Sequence, residues 1–356
     1  MTKLKPGLVW GEDYKSLVSA CKAGGYALPA VNVTGTNSLN AVLEAAERNR
    51  SDVIVQLSNG GAGFFAGKAL RDGHLVMVLG AVSAARHTAL LAENLGICVI
   101  LHTDHANRKL IPWVEDLISH SERNLALTGK PLFSSHMLDL SEEPIEQNLD
   151  ACAALLPRMT EAGVALEMEL GVTGGEEDGI GYDLDQIDNA KLYTQPEDVL
   201  LAYERLHPLG VISVAASFGN VHGVYKPGNV QLRPEILRAS QDLVAERKGL
   251  ERNPLNLVFH GGSGSDIADI RAAISHGVFK MNIDTDTQFA FAETIGAYVT
   301  TNCAAFKHQI DPESGEPYKK LYDPRKWLRS GEEGIIARLD QAFEELGSTG
   351  KSVASD

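Results

Sequence analysis

The sequence predicts an α/β fold, a (β/α)8 TIM barrel formed by the whole chain, residues 1–356, with an extended acidic lid loop and a C-terminal helical extension from about residue 305. Three observations carry that expectation. Eight short, nearly continuous apolar runs punctuate the chain, each followed by a helical pattern; such runs suit strands buried on both faces, hence a parallel sheet, and eight strand–helix units most simply close on themselves. The runs end in polar or glycine-rich turns. Three of those ends carry a histidine, at the lip where barrel active sites form.

In chain order the runs are Ala27 to Val33, Val53 to Leu57, Cys98 to Leu101, Leu132 to Met137, Ala165 to Leu170, Val211 to Ala215, Leu255 to Phe259 and Val278 to Ile283. Between them, Ser141-Glu142-Glu143-Pro144 reads as a capping serine with early acids before a helix whose apolar face includes Leu149, Ala153, Leu156 and Met159. Ser265-Asp266 opens another helix before Ile267, Ile270 and Ile274. Two connections are too long for plain barrel turns. Gly171 to Gln195 is glycine-rich and acidic, the composition of a lid. A polar stretch from about Lys307 to Gly331 contains Tyr322-Asp323-Pro324-Arg325 and leads into a final helix with Ile335, Ile336, Leu339, Phe343 and Leu346 on one face.

Composition narrows the function classes. With 44% hydrophobic and 22% charged residues, the chain can bury a large core as an ordinary globular protein. A formal net charge of −15 argues against nucleic acid or an anionic membrane as partner, since both would be repelled at long range. No apolar stretch reads as a span of the roughly 20 residues a bilayer needs, and no signal-like segment follows the N-terminus, so the expected location is cytoplasmic. Cys21, Cys98, Cys152 and Cys303 are scattered, suggesting buried reduced thiols instead of disulfides or a thiolate cluster.

The histidines are His105 in Leu-His-Thr-Asp-His, His222 in Gly-Asn-Val-His-Gly and His260 in Val-Phe-His-Gly-Gly-Ser-Gly. Three imidazoles hold a metal while leaving a coordination position open, the mark of a catalytic site. Asp104, just before the first, is an acid able to work on whatever the metal polarises. Glu167 and Glu169 share one strand face by the two-residue period. Asp139 and Glu169 together either hold a second, looser divalent cation or simply hydrogen-bond to the ligands. Gly261-Gly262-Ser263-Gly264-Ser265 and Asn282-Ile283-Asp284-Thr285 each precede a helix, and barrel phosphate sites commonly use the loops after strands seven and eight. Neither ends in Gly-Lys-Ser/Thr, so neither is a nucleotide P-loop. A metal-dependent barrel hydrolase would also use histidines and an aspartate, but would more usually show a His-x-His pair on the first strand, and none lies near Ala30. A non-catalytic, metal-stabilised barrel is the third reading.

Five segments resemble a known family. Thr103-Asp104-His105, Glu-Met-Glu-Leu-Gly-Val-Thr-Gly-Gly-Glu-Glu-Asp-Gly from Glu167, Ser-Phe-Gly-Asn-Val-His-Gly-Val-Tyr-Lys-Pro-Gly from Ser217, Phe259 to Ser265, and Lys-Met-Asn-Ile-Asp-Thr-Asp-Thr-Gln from Lys280 are similar to class II, zinc-dependent fructose-bisphosphate aldolases. The likeness spans nearly the whole chain, and the acidic lid and Tyr-Asp-Pro-Arg tail look like the A subgroup. It implies reversible aldol cleavage of fructose 1,6-bisphosphate to dihydroxyacetone phosphate and glyceraldehyde 3-phosphate through a zinc-stabilised enediolate, in glycolysis or gluconeogenesis, by a cytoplasmic homodimer.

Carried over position by position, the resemblance implies that His105, His222 and His260 bind the catalytic Zn2+, with Asp139 and Glu169 at a second metal position. Asp104 would exchange a proton with the C4 oxygen, Glu177 on the lid would take a proton from dihydroxyacetone phosphate, and Asn282 would contact the carbonyl-derived oxygens. Gly223, Gly261, Gly262, Ser263, Ile283, Asp284 and Thr285 match the triose-phosphate pocket, with a monovalent cation, Na+ or K+. Asn32 and Ser58 match positions near the other half of the substrate, and Arg325 matches an arginine reaching the distal phosphate from the neighbouring subunit. The family's Asp-His pair is often followed by cysteine, where this chain has Ala106. A Schiff-base mechanism would need a desolvated lysine, for which Lys280 is the one tempting candidate.

Overall fold

A computed structural model of the chain describes residues 3–171, 174–177, 180–182, 193–222 and 232–355; the side chains of 174–177, 180–182 and 221–222 lie outside that description. Eight parallel strands form the core: β1 (Leu28–Asn32), β2 (Val53–Leu57), β3 (Cys98–Ala106), β4 (Ser135–Leu138), β5 (Ala165–Leu170), β6 (Ile212–Ala216), β7 (Leu257–Phe259) and β8 (Val278–Asn282). Each pairs with its neighbours in sequence, and β8 returns to β1 through Lys280 opposite Leu28 and Asn282 opposite Ala30. The eight strands therefore close on themselves, leaving none of them as an edge strand of the barrel. The two-residue strand Gly7–Leu8 adds to the start of β3.

Alternation along the strands divides the apolar residues into two sets. Val31, Val53, Val55, Val99, Leu101, Leu166 and Met168 face outward and pack under the ring of helices. Leu28, Ala30, Ile54, Cys98, Ile100, Ala165, Ala215 and Val258 face inward and pack with Tyr14, Leu17, Val18 and Cys21 of the helix Gly11–Gly24, which stoppers the N-terminal end. Burying each such Leu, Ile or Val side chain contributes about 1.5–3 kcal/mol. That helix ends on Gly25 at φ 61°, ψ 45°, a left-handed conformation that glycine adopts without strain. Above the apolar floor the inward positions turn polar, with Gln56, His102, Asp104, Glu167, Glu169, Lys280 and Asn282 all buried.

Several sequence-based boundaries shift. Strand β3 was expected to stop at Leu101 but runs to Ala106, because His102 and Thr103 continue its pairing with β2 and Ala106 still pairs with β4. Strand β4 starts at Ser135 instead of Leu132, and Leu132 and Phe133 pack into the outer core. Ser141 does not cap the following helix, Ile145–Glu161, whose N-cap is Pro144 without a side-chain bond; the Ser141 hydroxyl donates to Asp139 Oδ1 at 2.7 Å. Asp266 does occupy the N-cap of the helix Ile267–Ser275, though its side chain makes no capping bond.

One helix corrects the reading that no segment suits a bilayer. Gly73–Leu95 has 23 residues and a mean hydropathy of 1.6 over its most apolar window, enough by length and composition to cross a membrane. Half of that window is buried, with Val78, Ala81, Val82, Ala84, Ala85 and Ala92 in the outer core, so its apolar character serves packing. At the C-terminal lip, Gly174–Glu177 pairs antiparallel with Ile180–Tyr182 and parallel with Val221–His222, which ties the backbone of His222 to that of Gly175. The predicted C-terminal extension joins the helix layer, its long helix Pro324–Glu345 packing against the helices Thr36–Arg48 and Thr285–Thr301 and burying Ile335, Ile336, Leu339 and Phe343.

Candidate active site

Asp104 and His105 sit where the pairing of β3 with β4 slips between Thr103 and Ala106. His105 there has φ 34°, an uncommon and strained conformation for a residue with a side chain. Bulges of this kind re-aim side chains. The effect is that two consecutive residues both serve the barrel mouth, which strict alternation would forbid.

His105 Nε2 lies 2.9 Å from His260 Nδ1, the two rings meeting edge to face. The outer nitrogen of each ring meets a carboxylate. His260 Nε2 is 2.8 Å from Glu167 Oε1, and His105 Nδ1 is 3.1 Å from Asp139 Oδ2 and 3.4 Å from Glu169 Oε2. Carboxylates there draw the ring protons to those nitrogens and turn two lone pairs toward one another at the barrel mouth. Two such lone pairs repel unless a cation lies between them. Asp104 is close enough to join: its ligand oxygen and the nitrogens of His105 and His260 lie within 4.8 Å of one another, as do those of His105, Asp139 and Glu169. Imidazole nitrogens with a carboxylate oxygen suit zinc or a similar divalent cation. The residues thus fit the metal that the sequence implies.

The carboxylate of Asp104 is held from the other side. Asn32 Nδ2 and Gln56 Nε2 donate to Oδ2 at 3.0 and 3.3 Å, while Asn282 Nδ2 is 3.5 Å from Oδ1. Asn282 Nδ2 also lies 3.2 Å from His260 Nδ1, and its buried Oδ1 has no partner among the described residues. Gln56 was absent from the sequence-based candidates, although the inward period Ile54, Gln56, Ser58 on β2 points to it. Ser141, read only as a cap, clamps Asp139.

Beneath these groups lies a buried charge cluster. Lys280 Nζ donates to both oxygens of Glu167 at 2.8 Å, and His102 Nε2 is 3.6 Å from Glu167 Oε2 with its Nδ1 2.7 Å from Ser135 Oγ. Burial alone would raise the Glu167 carboxyl, but the Lys280 ammonium, with His102 and His260, holds it well below the usual carboxylate range. Burial pushes the imidazoles of His260 and His102 down. Asp139, which burial would raise, is drawn down to about 2 by its bonds to His105 and Ser141.

The remaining expected residues fall as follows. Ser58 caps the short helix Asn59–Phe65, its Oγ accepting from Gly61 N at 3.0 Å. Gly261, with φ 61°, Gly262 and the buried Ser263 form the loop after β7, and Asp284 is the N-cap of the helix Thr285–Thr301 after β8. Ile283 turns its side chain into the core and gives its amide to Ala30 O at 2.9 Å, so it serves this loop by packing. Arg325 is not brought to the site of its own chain; its exposed guanidinium pairs with Asp323 at 2.7 Å. Gly223 lies outside the described residues, as do the side chains of Glu177 and His222.

Comparison with known proteins agrees with this geometry. Residues 12–351 match the family model described as fructose-bisphosphate aldolase class-II. A fructose-bisphosphate aldolase of Campylobacter jejuni is 55% identical over 353 residues, covering 98% of both chains. The class 2 fructose-bisphosphate aldolase of Escherichia coli K12 is 51% identical over 348 residues, 96% of both. A crystal structure of the Campylobacter jejuni aldolase superposes with a TM-score of 0.89 at 53% identity, covering 99% of this chain and 100% of that one. With its closed barrel and its paired histidines at the lip, the chain belongs to the class II fructose-bisphosphate aldolase family.

Proposed function

We propose that the chain catalyses reversible cleavage of fructose 1,6-bisphosphate to dihydroxyacetone phosphate and glyceraldehyde 3-phosphate at the C-terminal mouth of the barrel. The observation that carries this reading is the facing pair His105 Nε2 and His260 Nδ1, 2.9 Å apart, with the Asp104 carboxylate beside it. His105, His260 and His222 would hold the catalytic zinc, and Asp139 with Glu169 a second divalent position. A cation held there would supply Lewis-acid stabilisation for the negative charge that develops on the ketone oxygen as the C3–C4 bond breaks.

The chain's own groups do the rest. Asp104 Oδ2 is engaged by Asn32 and Gln56, which leaves Oδ1 as the atom to accept the proton of the C4 hydroxyl in cleavage and return it in condensation. Asn282 would orient the ketone oxygen, and Glu177 would move the C1 proton of dihydroxyacetone phosphate. Backbone groups of Gly223, Gly261, Gly262 and Ser263, with Asp284 and Thr285 at a helix start, would receive the triose phosphate and a Na+ or K+ ion. Asn32 and Ser58 would face the other half of the sugar. A Schiff base has no support, since Lys280 is buried and ion-paired with Glu167.

We assign one domain and a cytoplasmic homodimer. The helix Thr285–Thr301 fully buries only Thr287 among its residues and leaves Phe289 65% exposed, an apolar face a second copy would cover. Arg325, exposed and paired only locally with Asp323, would then reach the distal phosphate across that contact. A coupled assay on fructose and tagatose bisphosphates, with and without chelator, tests the reading. Chelation should abolish fructose bisphosphate cleavage, added zinc should restore it, and borohydride with substrate should leave it intact. Borohydride inactivation through a lysine adduct, or release of inorganic phosphate as product, would overturn it.

A further inference from the structure

The geometry points to Glu167 and Lys280 as positioning residues that fix the tautomer of His260, so that its Nδ1 and not its Nε2 is presented to the metal. Glu167 Oε1 receives both Lys280 Nζ and His260 Nε2 at 2.8 Å, and all three side chains are at most 2% exposed. A carboxylate accepts and cannot donate, so the ring proton belongs on Nε2. Lys280 saturates the carboxylate from below through both oxygens, which fixes the plane in which Oε1 meets the ring. From above, Asn220 Nδ2 holds the His260 carbonyl at 3.0 Å, so the residue is gripped at backbone and ring.

Stability alone does not explain such a pair, because apolar side chains of similar volume commonly serve a core as well or better than a buried ion pair. The inward positions of the barrel floor are mostly apolar, Ala30, Ala165, Ala215 and Val258 among them, with His102 Nε2 3.6 Å from Glu167 Oε2. Two charges in that setting have a purpose if they transmit orientation upward, and the ring of His260 is the group they touch that opens to the mouth. His105 differs, since its Nδ1 faces the two carboxylates Asp139 and Glu169. The two ligands are therefore set by separate devices, and losing one leaves the other in place.

This inference rests on the reading that His105 and His260 hold the metal, and the test separates the two. Zinc affinity of the full-length protein is measured by chelator competition for wild type and for the double variant Glu167→Leu with Lys280→Met, which removes both charges together. Cobalt substitution supplies a spectroscopic readout. The expected result is a zinc affinity about 10- to 100-fold weaker, a shifted cobalt absorption band, and a metal-free unfolding midpoint close to that of wild type. A folded double variant with wild-type affinity and spectrum would overturn the inference. If that variant fails to fold, nitrogen NMR of histidine-labelled, zinc-loaded wild type decides: a protonated Nε2 on His260 supports it, and a protonated Nδ1 refutes it. Failure of wild type itself to bind zinc would instead sink the metal reading of the site.

Discussion

Asp104→Asn isolates the proposed proton exchange from everything else the residue does. In the native site Asn32 and Gln56 both donate to Oδ2. An asparagine must therefore place its oxygen there, since its amide nitrogen would oppose two donors. The amide NH2 then takes the Oδ1 position, 3.5 Å from Asn282 Nδ2, and the atom facing the substrate becomes a donor unable to accept a proton. Packing is retained, because the two side chains have nearly the same volume. Fold stability should drop by only about 1 kcal/mol, the difference between charge-assisted and neutral hydrogen bonds. Catalysis should drop much further, since general acid–base groups contribute about 100- to 10,000-fold, or about 3–5 kcal/mol on the barrier. With zinc supplied, fructose bisphosphate cleavage is followed by a coupled assay, and exchange of the C1 proton of dihydroxyacetone phosphate by isotope loss. Cleavage should collapse while exchange, which needs no proton on C4, persists. Turnover within a few-fold of wild type would refute the role given to Asp104.

Three further outcomes follow from the structure. Gly80→Ala would place a Cβ 1.7 Å from Ala62 O, so the helix Asn59–Phe65 and its cap Ser58 must move. The variant should lose about 1–3 kcal/mol and several degrees of melting temperature, and an unchanged melting point would show that the contact relaxes freely. His136 is fully buried, with Nδ1 2.7 Å from Thr103 Oγ1, and burial lowers its pKa from 6.5 to about 3. Below pH 6.5 the unfolded chain therefore takes a proton that the native state refuses. Its stabilising contribution is complete above pH 6.5 and is lost by up to about 1.4 kcal/mol per pH unit as the pH falls toward 3; His136→Gln should flatten the acid limb of a stability–pH curve by one proton, and an unaltered slope would contradict it. Arg325→Ala should weaken fructose bisphosphate cleavage by about 10- to 100-fold, the worth of a charge-assisted phosphate contact. It should spare C1 proton exchange, and equal losses in both assays would count against distal-phosphate recognition.

The barrel was legible in the chain because a strand buried on both faces must be apolar almost throughout, and eight such runs followed by helical patterns leave few other ways to cover the sheet. His260 was legible for a related reason, since it directly follows such a run, whereas His105 was read from the Leu-His-Thr-Asp-His segment and proved to lie inside a strand longer than its apolar run. What sequence period cannot supply is register across the barrel. His260 meets His105 over 155 residues of chain and Glu167 over 93, and Glu167 meets Lys280 over 113. Alternation tells which face a side chain takes but not which partner it finds there. Only the closed structure showed that Glu167 belongs to His260, that Gln56 holds Asp104, that Ser141 serves Asp139 and not a helix, and that a bulge turns Asp104 and His105 to the same mouth. The fold follows from burial, which each segment declares by its own composition; the site follows from contacts between segments, which exist only once the barrel has closed.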